Sequence, residues 1–139
     1  MRQEFYNLQI NTDGQKLYEF TDHTVKWIKE NKFKNGIINL SIQHTSASLI
    51  VQENADPDVQ TDLINYFNNL APMNDKLYIH NAEGKDDMPA HIKSALTNNQ
   101  ISLSIKNGEL FLGTWQGIYL FEHRLNTHTR TVIHHFLGD

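Results

Sequence analysis

The sequence predicts an α+β fold, a mainly antiparallel β-sandwich with about three helices. The order of elements along the chain is one strand, a helix, two strands, a second helix, one strand, a third helix and four strands. Asn107-Gly108, which lies between two apolar runs, is a strong signal for a two-residue hairpin turn. Because connections that suit hairpins outnumber those long enough for parallel crossovers, most strand pairs are expected to be antiparallel.

Alternating apolar and polar residues define the strands of this predicted sandwich. Phe5 and Ile10 are apolar members of the first strand, and a turn around Asn11–Gly14 follows it. Gly113 and Gly117 interrupt a later strand, where glycine marks a bulge or the close approach of another group. The expected strands are Glu4–Ile10, Ile37–His44, Ser46–Gln52, Lys76–His80, Ile101–Lys106, Glu109–Leu112, Thr114–Arg124 and Thr129–Phe136.

Three helices are predicted from capping residues and helical spacing. The first covers Asp22–Asn31, with Thr21 as its N-cap. The second is the clearest, because Asp56 is a good N-cap, Pro57 fits the first helical position and apolar residues then recur at helical spacing. The third covers Pro89–Thr97 and follows an acid-rich loop.

The amino-acid composition excludes several classes of protein and favours a single globular domain. The chain has 139 residues, of which 39% are hydrophobic and 20% charged, as expected of one globular domain over residues 1–139. A net charge of −4 and scattered basic residues argue against nucleic-acid binding. The absence of cysteine excludes disulfides, thiolate zinc sites and cysteine nucleophiles. No apolar run reaches the ~20 residues of a membrane span and no signal-peptide pattern is present, so we expect a cytoplasmic protein.

The segment from His44 to Pro57, HTSASLIVQENADP, carries the strongest functional signal. Period-two alternation puts His44 on the strand face that also carries Ile38, Leu40 and Ile42. Where that apolar face reaches its rim, a histidine held by stiff backbone suits a metal ligand or a general base. The alternative is a buried histidine bonded to a backbone carbonyl, and the spacing alone does not choose between them.

Histidine is the one enriched residue type, with eight copies. His80 ends its predicted strand, His91 lies in the first turn of the third helix and His123 lies near a strand end. Neutral imidazoles that converge would bind a Zn²⁺-like ion with an open position, but no close-spaced motif such as HExxH links them. The alternative is ordinary surface histidines, which we expect for the last three, His128, His134 and His135.

Acidic residues near these histidines have two interpretations each. Glu53 follows the strand after His44 and could act as a general base in metal-assisted chemistry, or lie in solvent as a loop acid. Asp56 is most simply a helix cap worth about 1 kcal/mol. The loop Glu83–Asp87 lacks the alternating acid spacing of a calcium loop, so a solvated turn is the favoured interpretation.

Two further groups could contact a substrate. Trp115 and Gln116 lie between glycines and could line a pocket through ring stacking and amide hydrogen bonds. A bulged strand with a core tryptophan explains the same pattern. Arg124 and Arg130 could bind a phosphate, and surface ion pairs are the alternative for both.

Four segments in matching order resemble the YjbQ family, and the resemblance covers nearly the whole chain. They are HTSASLIVQENAD, the strand-end His80, DDMPAHIKSAL and NGELFLGTWQGIYLFEHR. The resemblance implies an α+β fold that assembles as a homotrimer, with a metal in some members. Because histidine ligands suit Zn²⁺, we expect a divalent ion that is zinc by preference, with magnesium as the alternative. The resemblance also implies a secondary thiamine-phosphate synthase activity, which joins a pyrimidine pyrophosphate to a thiazole phosphate.

The resemblance assigns roles by position. It implies metal binding by His44, His80 and His91, and catalytic roles for Glu53 and Asp62. Substrate binding falls on the glycine-flanked pair and on one arginine, namely Trp115, Gln116 and Arg124.

The chain departs from the family pattern after Glu122. Many relatives continue with an Asp-Gly-Pro-Arg turn, whereas this chain has His123-Arg124-Leu125-Asn126. The roles of Glu122, His123 and Arg124 therefore stay open.

Three functions fit these patterns. The first is a metal-dependent enzyme that acts on a phosphorylated small molecule, with thiamine-phosphate synthase chemistry as the form that the resemblance implies. Pyrophosphate departure usually calls on Mg²⁺ with oxygen ligands, however, whereas three histidines suit Zn²⁺ better. The second is a metal-dependent hydrolase with Glu53 as its general base. The third is a non-catalytic protein that binds a phosphorylated metabolite.

Overall fold

The computed structural model describes all residues from Met1 to Asp139. Its strands are β1 (Arg2–Asp13), β2 (Lys16–Glu19), β3 (Gly36–Ile42), β4 (Ala47–Glu53), β5 (Gln100–Lys106), β6 (Glu109–Leu110), β7 (Gln116–Glu122) and β8 (Thr127–Gly138). Its helices are α1 (Thr21–Glu30), α2 (Pro57–Leu70) and α3 (Asp87–Leu96), and a single 3₁₀ turn covers Asp75–Leu77.

Two antiparallel sheets enclose the main core. The larger sheet has the strand order β1-β8-β3-β5-β6, and the smaller has the order β2-β7-β4. Every pair of neighbouring strands is antiparallel. Fully buried apolar residues from both sheets meet between them, among them Ile38, Leu40, Leu49, Ile118 and Leu120. The predicted α+β fold with a mainly antiparallel sandwich is confirmed.

The β5–β6 hairpin turns at Asn107-Gly108, as the sequence predicts. Asn107 has a φ of 53° and Gly108 a φ of 81°, and a type I′ turn needs positive φ at both central residues. Ile105 pairs with Leu110 on either side of this turn.

α2 also begins as predicted. The Asp56 carboxylate accepts a hydrogen bond from the amide of Asp58 at 2.9 Å, and Pro57 occupies the first turn. The apolar side of this helix packs on the outer face of the smaller sheet through Leu63, Ile64 and Phe67. None of the three helices is both long enough and apolar enough to cross a membrane.

The strand expected at Lys76–His80 is absent, and that prediction is wrong. The segment contains the 3₁₀ turn and no ladder partner. Leu77 and Ile79, the aliphatic residues of this segment, are 59% and 102% exposed. A strand here would have no sheet to bury its apolar face, so the propensity of the segment is not realised.

Several element boundaries also differ from expectation. β3 ends at Ile42 rather than His44, β7 begins at Gln116 rather than Thr114, and α3 begins at Asp87 rather than Pro89. β1 continues through the predicted turn to Asp13, and β2, which the sequence did not reveal, follows Gly14. α1 begins at Thr21, the residue that was predicted to be its N-cap. Phe20 occupies the N-cap position instead and makes no side-chain capping hydrogen bond.

The β4–β7 pair separates two ends of the molecule that matter for function. Ala47 pairs with Glu122 at one end, and Glu53 pairs with Gln116 at the other. Six strand residues at about 3.3 Å each place these ends about 20 Å apart. α3 packs at the first end, where the Ser94 hydroxyl donates to the carbonyl of Ala47 at 3.1 Å.

Candidate metal centre

His80, Asp87 and His91 form a group, called here the metal group, whose potential ligand atoms all lie within 4.8 Å of one another. Asp87 and His91 are four residues apart on α3, so they share one face of the helix. His80 approaches from the segment before the helix, and its ring centroid lies 5.4 Å from that of His91. Two of the three predicted metal-binding histidines are therefore neighbours.

Hydrogen bonds orient these side chains. The Nε2 atoms of His80 and His91 lie 2.7 and 3.4 Å from the same atom, Oδ2 of Asp87. The other ring nitrogen of His91, Nδ1, donates to the carbonyl of Thr45 at 2.8 Å. In the neutral ring this leaves Nε2 of His91 unprotonated, and such an outer partner is usual for a histidine that binds a metal.

Arg124 neutralises the acidic part of the site. Its Nη1 donates to Asp87 Oδ1 at 2.6 Å, and its Nε donates to Asp86 Oδ2 at 2.9 Å. Burial raises the pKa of Asp86, but hydrogen bonds from the Leu125 amide and from Arg124 outweigh it and hold that pKa below its usual value. The predicted solvated turn holds for Glu83–Lys85, which are exposed, but is wrong for Asp86 and Asp87, which are only 5% and 1% exposed. The arginine is what makes their burial tolerable.

The residues of the metal group fit a divalent ion. Two imidazoles and one carboxylate are a donor set found around Zn²⁺ in catalytic sites and around non-haem Fe²⁺. The His80 side chain is 49% exposed, so the group is open to solvent on that side. A bound ion would supply Lewis-acid chemistry at a position that a substrate could reach.

His44, the third predicted ligand, has a partner elsewhere. Its Nε2 accepts a hydrogen bond from the amide of Thr131 at 2.9 Å. Burial, and after it the charge of Arg130, lowers the pKa of the His44 ring, so the ring is neutral at pH 7. His44 and His91 both line a cavity of about 310 Å³ beside the metal group. The chain thus supplies Asp87 as a third donor, and metal binding by His44 stays a prediction.

A buried lysine lies on the same helix. Lys93 is 2% exposed, and its Nζ donates to Asn68 Oδ1 at 2.5 Å. Burial lowers the pKa of Lys93 to about 8, against the opposing effect of the Asp86 charge. No local pattern singles out this residue, because lysines on amphipathic helices are usually solvated.

Arg130 belongs to a different cluster and is 4% exposed, so neither a phosphate-binding nor a surface role fits it. Its Nε and Nη2 donate to the Glu122 carboxylate at 2.8 and 2.6 Å. The Thr12 hydroxyl and the amides of His123 and Arg124 donate to the same carboxylate. Arg130 is therefore committed to a buried ion pair.

Two histidines are buried with lowered pKa values. His123 is 1% exposed, and burial, with the charges of Lys93 and Arg130, lowers its pKa to about 3. His134 is fully buried, and burial lowers its pKa to about 4. The surface position expected for His134 is wrong. His134 lies on the same inner face of β8 as buried Val132 and Phe136, which are two residues away on either side.

The other predicted site residues lie away from the metal group. Glu53 pairs with Gln116 at the far end of the β4–β7 pair, about 20 Å along the strand. Trp115 is 63% exposed, so the core position considered for it is wrong. Asp62 lies on the exposed side of α2. A single chain does not bring Glu53, Trp115 and Gln116 to the metal group.

The sequence allowed a metal site in the loop Glu83–Asp87 but favoured a solvated turn there, so Asp87 was not among the predicted ligands. The four-residue spacing between Asp87 and His91 was an available signal, but it requires the helix to begin at Asp87 rather than at Pro89. The contact that buries Asp87 comes from Arg124, 37 positions away, and leaves no local pattern.

Comparison with known proteins places the chain among relatives of similar length. Residues 6–139 match the family described as UPF0047 protein YjbQ-like. The UPF0047 protein sll1880 of Synechocystis is 48% identical over 138 residues, covering 99% of this chain and 94% of that protein. YjbQ of Escherichia coli O157:H7 is 43% identical over 133 residues, covering 95% of this chain and 96% of that protein.

Solved structures share the fold. A YjbQ/UPF0047 family protein from Clostridium acetobutylicum has a TM-score of 0.82 at 31% identity, covering 96% of this chain and 99% of that one. A YbjQ-like protein from Sulfolobus solfataricus has a TM-score of 0.86 at 20% identity, with 99% and 100% covered, and supports the fold alone. Sequence identity over nearly the full length and the shared sandwich lead to one conclusion, that this chain belongs to the YjbQ (UPF0047) family.

Proposed function

We propose that this protein is a metal-dependent enzyme that acts on a phosphorylated small molecule, with its ion held by the metal group. The observation that carries the proposal is the Oδ2 atom of Asp87, which faces the Nε2 atoms of His80 and His91 at 2.7 and 3.4 Å. The Thr45 carbonyl orients His91 and the Arg124 guanidinium orients Asp87. The donors are therefore held in place before an ion binds, which favours binding.

Zinc is the ion that we favour, with magnesium as the alternative. Imidazole nitrogens suit Zn²⁺, whereas Mg²⁺ prefers oxygen ligands and retains several waters. A bound divalent ion would gather phosphate oxygens and offset negative charge on a leaving group.

The charge balance supports an anionic substrate. Asp86 and Asp87 are already neutralised by the ion pairs of Arg124 and by the nearby charge of Lys93. A divalent ion would therefore add about two uncompensated positive charges to this end of the molecule. A phosphate or pyrophosphate group is the kind of ligand that offsets such an excess.

Thiamine-phosphate synthase activity is the specific reaction that the family resemblance favours. The two nitrogen donors of the metal group fit less well with a pyrophosphate-releasing reaction, which usually uses Mg²⁺ bound by oxygen. The same two-histidine, one-carboxylate set occurs in zinc hydrolases, so a metal-dependent hydrolase is the second candidate.

We also propose a homotrimer in which a second copy brings the far end of its β4–β7 pair toward the metal group of the first. The resemblance assigns Glu53, Trp115 and the metal-binding residues to one site, yet about 20 Å of strand separates them within a chain. The 63% exposure of Trp115 and the open edge of β1 leave surface for a partner. Light scattering at micromolar concentration tests this assembly, and a monomer mass would contradict it.

Zinc titration calorimetry tests the metal group. We expect the wild type to bind one Zn²⁺ per chain, and His80→Ala or His91→Ala to weaken binding by at least about 100-fold. His23→Ala is the matched control, because His23 is an exposed histidine on α1 outside the group. Wild type that binds zinc no more tightly than the His91→Ala variant would refute the site.

Activity assays then separate the candidate functions. The zinc-loaded protein is given a pyrimidine pyrophosphate with a thiazole phosphate, and separately p-nitrophenyl phosphate. Turnover that His91→Ala abolishes without unfolding supports an enzyme, and the productive substrate distinguishes synthase from hydrolase. If Glu53 is a general base, Glu53→Gln lowers turnover by about 10²–10⁴-fold while zinc stays bound. Stoichiometric binding without turnover would assign a non-catalytic binding protein instead.

A further inference from the structure

The largest cavity of the molecule, of about 370 Å³, lies between β1 and β2. Leu8 and Phe20 both line it although twelve positions separate them, so the chain reverses its direction at Gly14-Gln15. The two strands nevertheless form no hairpin, because β1 joins the larger sheet and β2 the smaller. They diverge from the turn, and the cavity occupies the space between them. Its volume lies within the range of ligand pockets, about 300–1,000 Å³.

The cavity is bounded by the edges of these strands rather than by a face of either sheet. Residues 8–11 of β1 and residues 16–19 of β2 line it without a break. Because successive side chains of a strand point to opposite faces, an unbroken run of lining residues indicates that the cavity follows the strand edge. β1 and β2 are each the end strand of their sheet, so both edges are unpaired. Every second residue of such an edge turns its amide and carbonyl groups away from the neighbouring strand, and here toward the cavity.

The backbone groups on these two edges have no other backbone partner. Residues 8–11 and 16–19 make backbone hydrogen bonds only in their pairings with β8 and β7. Proline, which would block an edge, is absent from both segments, and neither contains a residue with positive φ. The edges therefore present a regular row of donors and acceptors, which matches an extended backbone better than a compact small molecule.

The side chains give this cavity an apolar floor and one unpaired cation at its rim. The floor consists of buried apolar side chains, among them Leu8, Leu17 and Phe20. Lys16 is exposed and forms no ion pair, and its Nζ lies 5.6 Å from the centre of the Tyr18 ring. The Glu19 carboxylate, in contrast, accepts a hydrogen bond from the Thr21 hydroxyl at 2.8 Å. An acidic group beside Lys16 therefore meets an uncompensated positive charge.

We propose that this cavity binds an extended peptide segment of a partner protein, in which apolar and polar side chains alternate and an acidic side chain lies beside Lys16. The segment adds a strand along the free edges, so its main chain supplies much of the affinity, and its apolar side chains cover the floor. β2 has four residues, which correspond to about 13 Å of strand, so a segment of similar length fills the cavity. The inference does not depend on the metal group, and residues 2–7 of β1 remain free for contacts between copies of this chain.

The probe is an acetylated and amidated peptide with the sequence SEVTVES, titrated into the ¹⁵N-labelled full-length protein. We expect saturable chemical-shift changes at the amides of residues 8–11 and 16–19. The matched control carries N-methyl groups on its three central amides, which keeps every side chain but removes the donors that pair with a strand edge. Its affinity should be at least about tenfold lower, because each lost main-chain hydrogen bond leaves an unpaired group. Equal affinities, or no saturable change at these amides, would overturn the proposal.

A charge exchange tests the contact with Lys16. The peptide SKVTVKS replaces both glutamates of the probe by lysines. The wild type should bind the glutamate peptide about threefold more tightly than the lysine peptide, and Lys16→Glu should reverse this preference. Lys106→Glu makes the same change in net charge at an exposed lysine of β5, and as the control it should keep the wild-type preference. A Lys16→Glu variant that also keeps that preference would overturn the proposal.

Amide hydrogen exchange distinguishes a partner peptide from a second copy of this chain. In the free protein, the cavity-facing amides of residues 8–11 and 16–19 should exchange at the same rate at micromolar and at millimolar protein concentration. A saturating amount of the glutamate peptide should slow their exchange by at least about tenfold, because new main-chain hydrogen bonds protect them. Exchange that slows with rising protein concentration in the absence of peptide would assign the edges to a second copy and overturn the proposal.

Discussion

Two arginines bind buried carboxylates near the end of β7, and only one of the two clusters is complete. The Glu122 carboxylate accepts five hydrogen bonds, two of them from Arg130. One oxygen of the Asp87 carboxylate accepts a hydrogen bond from Arg124. The other oxygen faces His80 and His91, whose side chains are partly exposed to solvent. The first cluster has no capacity left for a ligand. In the second, Asp87 Oδ2 accepts a hydrogen bond from His80 Nε2 at 2.7 Å and lies 3.4 Å from Nε2 of His91, so an ion that displaces the His80 proton would find three ligand atoms close together.

This difference separates a structural polar cluster from a functional one. A buried charge that is fully paired and hydrogen-bonded holds its surroundings in one arrangement. A buried carboxylate whose oxygen faces neighbouring imidazoles, as in Asp87, is held in a defined geometry and can still bind an ion together with those imidazoles. Arginine is present in both clusters, so the residue type alone would not have told them apart.

The largest effect is expected from breaking the complete cluster. Arg130→Met leaves the Glu122 charge buried without its partner, which should lower the free energy of unfolding by about 3–5 kcal/mol. Urea denaturation measures this loss. Arg2→Met is the matched control, because Arg2 forms an exposed ion pair with Glu4 that is worth less than about 1 kcal/mol. An equal loss in both variants would contradict the structural role assigned to the Arg130–Glu122 pair.

The second largest effect is expected from acid, which should lower the free energy of unfolding through His123, the residue that follows Glu122 of the complete cluster. His123 has a folded pKa of about 3, so between pH 6.5 and pH 3 the unfolded chain binds a proton there that the folded chain does not. Stability therefore rises with pH in that window, by up to about 1.4 kcal/mol per pH unit, and is fully present above pH 6.5. Urea denaturation from pH 7 to pH 4.5 measures the slope. His123→Gln should reduce it, and an unchanged slope would contradict the assignment.

Asp87→Asn tests the open cluster. The substitution keeps the size of the side chain but removes the charge that the ion and Arg124 share, so zinc affinity should fall by at least about 100-fold. Calorimetry with zinc measures the change. Glu122→Gln is the companion variant, and its folded fraction should bind zinc as the wild type does. Loss of zinc binding in Glu122→Gln alone would mean that the wrong cluster has been called functional.

The smallest effect is expected far from both clusters. Asp56→Ala removes the cap of α2, which should cost about 1 kcal/mol of unfolding free energy and leave zinc affinity unchanged. Asp62→Ala, at an exposed position within the same helix, should cost nearly nothing in stability. A larger loss in Asp62→Ala than in Asp56→Ala would contradict the capping assignment.

Local signals were enough to predict much of the fold. The cap at Asp56-Pro57 and the turn at Asn107-Gly108 are set by neighbouring residues, and both occur as expected. The false strand at Lys76–His80 shows the limit of such signals, because a short apolar alternation becomes a strand only where a sheet accepts it.

The candidate site was less predictable because its arrangement depends on contacts distant in sequence. His80 and His91 were singled out, but Asp87 became a core residue only through Arg124. His44 was predicted to end its strand, but β3 ends at Ile42, and the Thr131 amide, 87 positions away, donates to His44 Nε2. The sequence around Asp87 does not predict its contact with Arg124, and the sequence around His44 does not predict its contact with Thr131.

The pairing of β1 with β8 has a consequence for the order of folding. Its register joins Arg2 to Gly138 and, at the other end, Asp13 to Thr127, so even its nearest contact closes a loop of more than a hundred residues. Such closure carries a large entropic cost until the intervening chain is organised. The β5–β6 hairpin closes across two residues and has no such barrier. Leu8→Ala in β1 should therefore accelerate unfolding and leave the refolding rate nearly unchanged in a chevron measurement, with a φ-value near zero.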